Sequence, residues 1–281
     1  MPEMKRGLVV EGGGMRGAHT CGILWPLVQT GRTHFDVVTA TSAGTCTSAY
    51  FVAKQFNQFS WVSREFLHDR QFINLRKLFS RHSVMDLDYL INYIFRDVCP
   101  LDIKALQETA TEFYITATRC DTAQPVYFNN HHDDIFTALK ASAAMPVAYK
   151  HPVVIGDQQY IDGGISDSIP IQKAIDEGCD EIVVLMTRPL GYRMKPPFAN
   201  LLPALFNKKF PAVAQALKQR HNHYNDVLRR IEKQDYPCKL TVIRPKDKLP
   251  VSRLTTKHEK IMAAIQMGYR DALAALQDHP N

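Results

Sequence analysis

Cysteine is scarce in this sequence, and no two cysteines lie close together. The six residues are Cys21, Cys46, Cys99, Cys120, Cys179 and Cys238, and no C-x-x-C pair occurs. A zinc ribbon requires paired cysteines and a disulfide scaffold requires a dense set, so both classes are excluded. We therefore expect a protein from a reducing compartment.

Long apolar runs are also missing. No uninterrupted segment reaches the roughly 20 apolar residues that a membrane-spanning helix needs. A strand begins within a few residues of Met1, which leaves no room for a signal peptide. We therefore expect a cytoplasmic protein whose contact with the inner membrane surface is at most peripheral.

Concentrated charge of one sign is a third feature that the sequence lacks. The formal net charge is only +6, and the lysines and arginines are mostly scattered. Because nucleic-acid recognition requires a basic patch or stripe, we expect no nucleic-acid partner. A chain of 281 residues, 45% of them hydrophobic, can bury a large core in one α/β domain.

One serine lies at a tight turn between a strand pattern and a helix pattern. The apolar run 35–40 precedes Ser42, and the helix-compatible run 43–51 follows it. A strand, a tight turn with one hydroxyl and a helix form a nucleophile elbow. The two backbones nearly touch there, so small residues are needed at Ala40 and Gly44, although glycine is usual at the first position. Ser42 is our candidate nucleophile.

A glycine-rich turn follows the first strand. The strand 7–10 leads into Glu11-Gly12-Gly13-Gly14-Met15-Arg16-Gly17, and a helix is predicted over 18–28 with a kink at Pro26. Free backbone N–H groups and the positive end of the helix then surround one point. This arrangement predicts an anion site.

The same glycines fit a second interpretation, the dinucleotide fingerprint G-x-G-x-x-G. That motif requires an acidic residue at the end of the second strand, roughly 20 residues further on. Asp36 has a suitable distance but lies at the start of that strand, and Ser42 occupies its end. We therefore favour an oxyanion hole beside the serine. Its candidate residues are Gly12, Gly13, Gly14, Arg16 and Gly17.

A third feature is an acidic residue with two glycines at the end of a later strand. The strand patterns 152–155 and 159–161 lead into Asp162-Gly163-Gly164. The simplest alternative role is an aspartate in an Asx-turn. However, the strand ends that feed helices share one edge of a parallel α/β sheet. Asp162 is therefore expected to approach Ser42 and the glycine loop.

Two segments are rich in apolar side chains without a strand pattern. Residues 53–100 read as a helical insertion in which aromatic residues at helical spacing favour core packing, with acyl-chain contact as the alternative. Residues 189–210 combine apolar residues with Lys208 and Lys209. That combination is typical of a segment covering a core, and also suits a membrane interface.

Together the motifs resemble the patatin-like phospholipase family. The resemblance rests on the glycine loop 12–17, the elbow around Ser42, the segment 141–146 (ASAAMP) and Asp162-Gly163-Gly164. They occur in the family's order and spacing and cover roughly residues 7–190. The departure is Ala40 in place of the elbow's first glycine, which is a mild steric change.

The resemblance implies an α/β fold, a three-layer sandwich with a mostly parallel central sheet, helices on both faces and a helical insertion. We expect one domain over 1–281, with 53–100 as a cap-like insertion and 190–281 as a C-terminal extension packed on the same domain. Gly44, Gly163 and Gly164 are expected to support the site.

The implied chemistry is ester hydrolysis by a Ser42–Asp162 dyad through an acyl-enzyme, with the glycine loop holding the oxyanion. The expected substrate is a lipid ester; phospholipid, lysophospholipid, neutral glyceride and thioester all fit these residues. No cofactor is expected. No metal is expected either, because adjacent histidines such as His131 and His132 point in different directions.

Two other functions remain open at this point. The first is an α/β-hydrolase triad that pairs Ser42 with an acid and with His221, His223 or His258. Its oxyanion loop would follow a third strand, whereas the glycine loop here follows the first. The second is a non-catalytic lipid- or anion-binding protein that retains the fold.

Overall fold

The computed structural model describes residues 4–196, 206 and 208–278. The strands are β1 (Arg6–Val10), β2 (Val37–Thr41), β3 (Glu112–Arg119), β4 (Pro125–Asn129), β5 (Val153–Ile155), β6 (Gln158–Asp162), β7 (Glu181–Leu185) and β8 (Lys239–Ile243). The α-helices are α1 (Gly17–Gln29), α2 (Ala43–Val52), α3 (Phe56–Glu65), α4 (Ile103–Glu108), α5 (Ile135–Ala143), α6 (Ile171–Asp176), α7 (Pro211–Glu232) and α8 (His258–Asp278).

Within the described residues the strands form one mixed, mostly parallel sheet. Hydrogen bonds link its strands along the path β5-β6-β3-β2-β1-β7-β8. Strands β2 and β6 pair with one edge of β3, and β4 pairs with the other edge as a hairpin. The strands from β3 to β8 along this path are mutually parallel, whereas β4, β5 and β6 run antiparallel to their neighbours. The predicted α/β class is confirmed.

Helices cover both faces of the sheet because its central strands are apolar on both sides. In β1, Leu8 and Val10 join the core cluster beneath α1, α2, α5 and α8. Val9, between them, joins the opposite cluster with residues of α6 and α7. This alternation along one buried strand produces the three layers.

Helix α8 returns to the first helix of the chain. A methyl group at Gly22 of α1 would collide with the backbone of Ile265 in α8. A methyl group at Gly268 of α8 would likewise collide with the carbonyl of His19. The two helices therefore touch at their backbones, which only glycine allows. This contact and the β7–β8 pairing attach the C-terminal part to the sheet.

The predicted insertion is helical. It contains α3, a 3₁₀ turn (Leu75–Phe79) and a π-helix (Tyr89–Val98). Most of its aromatic residues belong to the core, as predicted: Phe56, Phe59, Phe72 and Phe95 are at most 3% exposed. Trp61 and Tyr93 are exceptions, with 44% and 50% exposure.

The predicted apolar segment 189–210 falls partly outside the described residues, since 197–205 and 207 are not among them. Helix α7 begins just after it, at Pro211. None of the described helices is long and apolar enough to cross a bilayer.

Candidate active site

Ser42 occupies a sharp turn between β2 and α2. Its backbone has φ 55° and ψ −128°, a conformation that a residue with a side chain rarely adopts. The Ser42 N–H donates to Ser142 Oγ (2.9 Å), and the Ser142 hydroxyl donates to the Thr116 carbonyl (2.6 Å). This buried chain of hydrogen bonds fastens the strained turn to α5 and β3.

The register of β3 explains how Asp162 reaches Ser42. Strand β2 ends with Thr41 opposite Thr116, and β6 ends with Asp162 opposite Ala117. Because β4 pairs with the other edge of β3 over the same residues, β2 and β6 occupy one edge end to end. The two strands approach from opposite directions, so their last residues meet.

The Ser42 hydroxyl donates to Asp162 Oδ2 at 2.7 Å. The second carboxylate oxygen, Oδ1, accepts from the Gly164 N–H at 2.8 Å. The expected proximity is therefore present, but its predicted cause was wrong. Asp162 arrives on an antiparallel strand, not at the shared edge of parallel strands.

Burial governs the electrostatics of Asp162. Its side chain is 94% removed from solvent, and this desolvation raises the pKa of the carboxyl. The hydrogen bonds from Ser42 and Gly164 lower the pKa, as do the positive charges of Arg220 and Arg253. Desolvation is the largest contribution, so the carboxylate is more basic than an exposed aspartate.

The backbone donors of the glycine loop divide into two groups. The N–H of Gly12 donates to the Ser168 carbonyl, and that of Gly17 donates to carbonyls of the 3₁₀ turn (Gly14–Arg16). The N–H groups of Gly13 and Gly14 have no acceptor within the described residues. Both residues line the same cavity as Ser42. Of the glycines predicted for the oxyanion hole, Gly13 and Gly14 are therefore the two whose N–H groups are unpaired at the cavity.

Glycine is required in this loop for specific reasons. Gly14 has φ +55°, and a Cβ there would lie 2.6 Å from the Arg253 carbonyl oxygen. A Cβ on Gly12 would lie 3.0 Å from Ser42 Cβ. The loop is thus enclosed between the serine turn and a loop that follows β8.

The other glycines of the predicted site provide close packing. Gly44 adjoins the carbonyl oxygens of Val10 and Glu11, and Gly163 lies against the backbone of Thr116. Gly164 also accepts a hydrogen bond at its carbonyl from Arg220 Nε.

Arg16 lies beneath the loop and does not line the cavity at Ser42. It is 5% exposed, and its Nε has no hydrogen-bond partner among the described residues. Desolvation, with repulsion from Arg188 and Arg253, lowers its pKa to about 10. Nearby Glu11 accepts from Tyr224 and Thr187 and opposes that decrease.

Two cavities meet at Ser42. The first is apolar and extends beneath the insertion; its lining includes Phe59, Phe72, Met85, Leu87, Leu90 and Phe95. The second is polar and lies on the Asp162 side; its lining includes Gly13, Gly14, Asp162, Gly164, Arg220 and Arg253. A bound ester at Ser42 can therefore extend in two chemically different directions.

No histidine in the described ranges hydrogen-bonds to Ser42 or Asp162. The ring of His258 packs against that of His68, and His223 lies beside Asp167. His221 has a buried Nδ1 with no partner in the described part of the chain. Within the described residues, no group of histidine, cysteine and acidic side chains is arranged to hold a metal.

Three residues of the site were not singled out from the sequence. Ser142 lies within the ASAAMP segment, but nothing in the segment indicates its bond to the Ser42 backbone. Arg220 comes from α7, and Arg253 from the loop after β8. Neither arginine belongs to a motif, so only the packing of the C-terminal part reveals them.

The chain resembles several known proteins. The uncharacterized protein YjjU of Escherichia coli (strain K12) is 28% identical over 242 residues, which cover 85% of this chain and 68% of YjjU. The crystal structure of VipD from Legionella pneumophila superposes with a TM-score of 0.58 and 13% identity, covering 99% of this chain and 67% of VipD. That likeness shows a shared fold.

The type III effector protein ExoU superposes with a TM-score of 0.46 and 14% identity. The alignment covers 99% of this chain, which spans 53% of the ExoU chain.

Two family models match the chain. A domain of unknown function (DUF6363) matches residues 210–281, which contain α7, β8 and α8. The patatin-like phospholipase model matches residues 8–175, more than half of the chain, and includes both Ser42 and Asp162. This match supports lipid acyl hydrolase activity. The chain belongs to the patatin-like phospholipase family.

Proposed function

We propose that this protein is a serine lipid acyl hydrolase that cleaves carboxylic esters with a Ser42–Asp162 dyad. The observation that carries the proposal is the 2.7 Å hydrogen bond from the Ser42 hydroxyl to Asp162, formed at a strained elbow. A nucleophile within hydrogen-bond reach of a base is the arrangement that covalent catalysis requires.

In the first step, Ser42 Oγ attacks the ester carbonyl carbon while its proton passes to Asp162 Oδ2. The tetrahedral intermediate collapses to an acyl-enzyme, and Asp162 returns the proton to the departing alkoxide. Water then attacks the acyl-enzyme, with Asp162 accepting its proton and returning it to Ser42. The raised pKa of Asp162 suits this task, because an exposed aspartate is a weak base at neutral pH.

The developing oxyanion would be held by the N–H groups of Gly13 and Gly14. Two observations support this role. Neither N–H group has an acceptor within the described residues, and both residues line the cavity at Ser42. One well-placed donor of this kind lowers the barrier by about 3–4 kcal/mol. Arg16 would act indirectly, as a buried charge behind the loop.

The acyl chain would occupy the apolar cavity under the insertion. Seven of its lining residues come from the stretch 59–95, and Ser42 also lines it. Burying each methylene group there contributes about 0.8 kcal/mol. A fatty acyl chain is therefore a better match than a small polar acid.

We also propose that the insertion makes a peripheral contact with a lipid surface. Trp61, Leu75 and Leu78 are 41–51% exposed. Segment 70–82 contains four basic residues and no acidic one: Arg70, Arg76, Lys77 and Arg81. Exposed apolar side chains among basic residues suit an anionic bilayer.

Vesicle flotation tests this contact. The double variant Trp61→Ala/Leu75→Ser should bind phosphatidylserine vesicles several-fold more weakly than the wild type. Leu273→Ser is the control, since Leu273 is 38% exposed but lies on α8, outside both the insertion and segment 189–210. Equal binding of all three proteins would exclude this surface.

We propose that the whole chain is one domain, with the C-terminal part packed as an extension. The backbone contact of Gly22 with α8 and the β7–β8 pairing support this organisation.

The six cysteines form no disulfide, which supports a reducing, cytoplasmic location.

A fluorophosphonate probe separates hydrolysis from mere lipid binding. The wild type should be labelled, and Ser42→Ala should not be. Ser48→Ala is a matched control, because Ser48 is a buried serine of α2 whose hydroxyl has no hydrogen-bond partner among the described residues. A folded, unlabelled wild type would favour the non-catalytic binding protein.

A further inference from the structure

The polar cavity beside Ser42 contains more positive than negative charge. Four arginines interact electrostatically around it and beneath the glycine loop: Arg16, Arg188, Arg220 and Arg253. The carboxylates that interact with them are Glu11 and Asp162. Asp162 also accepts the proton of Ser42 in the proposed reaction. Among the described residues, the cluster therefore contains more guanidinium cations than carboxylates.

The two arginines that line the cavity differ in their partners. Arg220 donates from Nε to the Gly164 carbonyl and from Nη2 to Ser168 Oγ at 3.1 Å. Its Nη1 hydrogen-bonds to the sulfur of Met194 at 3.6 Å and to no other atom in the described part of the chain. These bonds fix the guanidinium of Arg220 against the Asp162-Gly163-Gly164 turn.

Arg253 makes no hydrogen bond or ion pair through its guanidinium within the described residues. Its backbone, in contrast, is firmly held, since the Arg253 carbonyl accepts from the Met15 N–H at 3.1 Å. A guanidinium normally engages several acceptors, and its planar fork matches the oxygens of a phosphate or carboxylate. Arg253 thus has a held backbone and a guanidinium whose donors are unused within the described residues.

The arginines of this cluster repel one another electrostatically. Desolvation, followed by the charge of Arg253, lowers the pKa of Arg220 to about 10. A bound anion would relieve this repulsion and would gain charge-assisted hydrogen bonds.

We propose that Arg253 and Arg220 form an anion subsite that binds a negatively charged, phosphate-type group on the alcohol part of the substrate. The inference rests on the proposed hydrolase function. The acyl chain occupies the apolar cavity on one side of Ser42, so the alcohol part extends into the polar cavity on the other. The preferred substrate class is then a lipid ester with an anionic headgroup close to the ester bond, rather than a neutral glyceride.

This subsite also gives the C-terminal part a function. Both arginines lie in residues 210–281, which match a family model of unknown function. The nucleophile and base come from the patatin-like part. The C-terminal part would therefore select among the esters that the dyad can cleave.

A matched pair of substrates tests the proposal: oleoyl lysophosphatidic acid, which carries a phosphate, and monooleoylglycerol, which does not. The wild type should have a kcat/KM at least about tenfold higher for the phosphate ester, as expected from one charge-assisted hydrogen-bond pair. Arg253→Gln should reduce that ratio about tenfold, and Arg253→Lys should restore part of it. Arg229→Gln, an exposed arginine on α7 that bonds to Asp226, is the control and should leave the ratio unchanged.

Several results would overturn the subsite. One is a wild type that does not distinguish the two esters. Another is an Arg253→Gln variant that loses both activities equally while its thermal unfolding is unchanged. Competitive inhibition by inorganic phosphate that disappears in Arg253→Gln, without preference between the lipids, would assign the arginines to free phosphate and contradict the substrate proposal.

The subsite can be tested independently of catalysis. Ser42→Ala protein should bind lysophosphatidic acid about tenfold more tightly than monooleoylglycerol, and Ser42→Ala/Arg253→Gln should lose that preference. If the wild type hydrolyses neither lipid and resists the fluorophosphonate probe, the proposed hydrolysis fails. The lipid-binding preference of the Ser42→Ala protein would then still test the anion subsite.

Discussion

The two cavities at Ser42 differ in composition and in origin. The apolar cavity is lined by the insertion and α2, all within the part of the chain that matches the patatin-like model. The polar cavity obtains its arginines from α7 and the loop after β8. Ser42 lies at the boundary between them. The comparison teaches that the chemistry and the proposed selection of substrates come from different parts of the sequence.

The largest effect should come from removing the base that both sides share. Asp162→Asn keeps the shape of the side chain but cannot accept the serine proton, so kcat/KM should fall by about 10³–10⁴ for phosphate and neutral esters alike. Steady-state hydrolysis of a soluble p-nitrophenyl ester measures this loss. A decrease of less than tenfold, with intact folding, would contradict the role of Asp162.

Filling the apolar cavity should separate the two sides. Leu90→Trp places a larger side chain in the cavity, so hydrolysis of oleoyl esters should decrease about 10–100-fold, and that of butyrate esters much less. A chain-length series of esters provides the measurement. Tyr93→Trp is the control, since Tyr93 belongs to the same insertion but is 50% exposed and lies outside the proposed lipid-contact surface. An unchanged chain-length profile would place the acyl chain elsewhere.

Changing the polar side should alter the pH dependence. In the proposed dyad, Asp162 must be ionised to accept a proton, so activity should fall as the pH decreases through its pKa. The charge of Arg220 lowers that pKa, against the larger upward effect of burial. Arg220→Gln should therefore shift the acid limb of kcat/KM to higher pH, and Arg220→Lys should shift it less.

The pH profile is best measured with a neutral soluble ester, because the proposed anion subsite would otherwise contribute. Arg229→Gln again serves as the control on the same helix. An acid limb that stays in place, or moves to lower pH, would show that Arg220 does not act on Asp162.

The smallest effect should come from removing the hydrogen bonds that support the Ser42 turn. Ser142→Ala removes the acceptor of the Ser42 N–H and the donor to Thr116. A buried donor without a partner costs about 1–3 kcal/mol, so the free energy of unfolding should decrease by that amount. Urea denaturation measures the change. Ser48→Ala should be nearly neutral, and equal effects of both variants would remove the special role of Ser142.

Local patterns in the sequence predicted the elements that surround the site. The elbow at Ser42 and the glycine loop are each contained in fewer than ten residues, because a strand, a turn and a helix follow one another directly. The hairpin of β3 and β4 and the long helix α7 are equally local, since each is formed by neighbouring residues of the chain.

Features that depend on distant parts of the chain were either not predicted or predicted for the wrong reason. Asp162 meets Ser42 because β6 and β2 share one edge of β3, and strand order is not written in a local pattern. Arg220 and Arg253 reach the cavity only once α7 and β8 have packed, so no motif marks them. A local pattern likewise does not show which glycine N–H groups are unpaired. In the folded chain the Gly12 N–H donates to the Ser168 carbonyl, whereas those of Gly13 and Gly14 have no acceptor within the described residues.

The central claim is that Ser42 acts with an aspartate and without a histidine. The most direct measurement is kcat/KM of the triple variant His221→Ala/His223→Ala/His258→Ala on a soluble p-nitrophenyl ester, with Ser42→Ala beside it. The dyad predicts that the triple variant stays within about threefold of the wild type, because none of these rings bonds to Ser42 or Asp162 in the described structure. A loss comparable to that of Ser42→Ala, in a protein that remains folded, would contradict it.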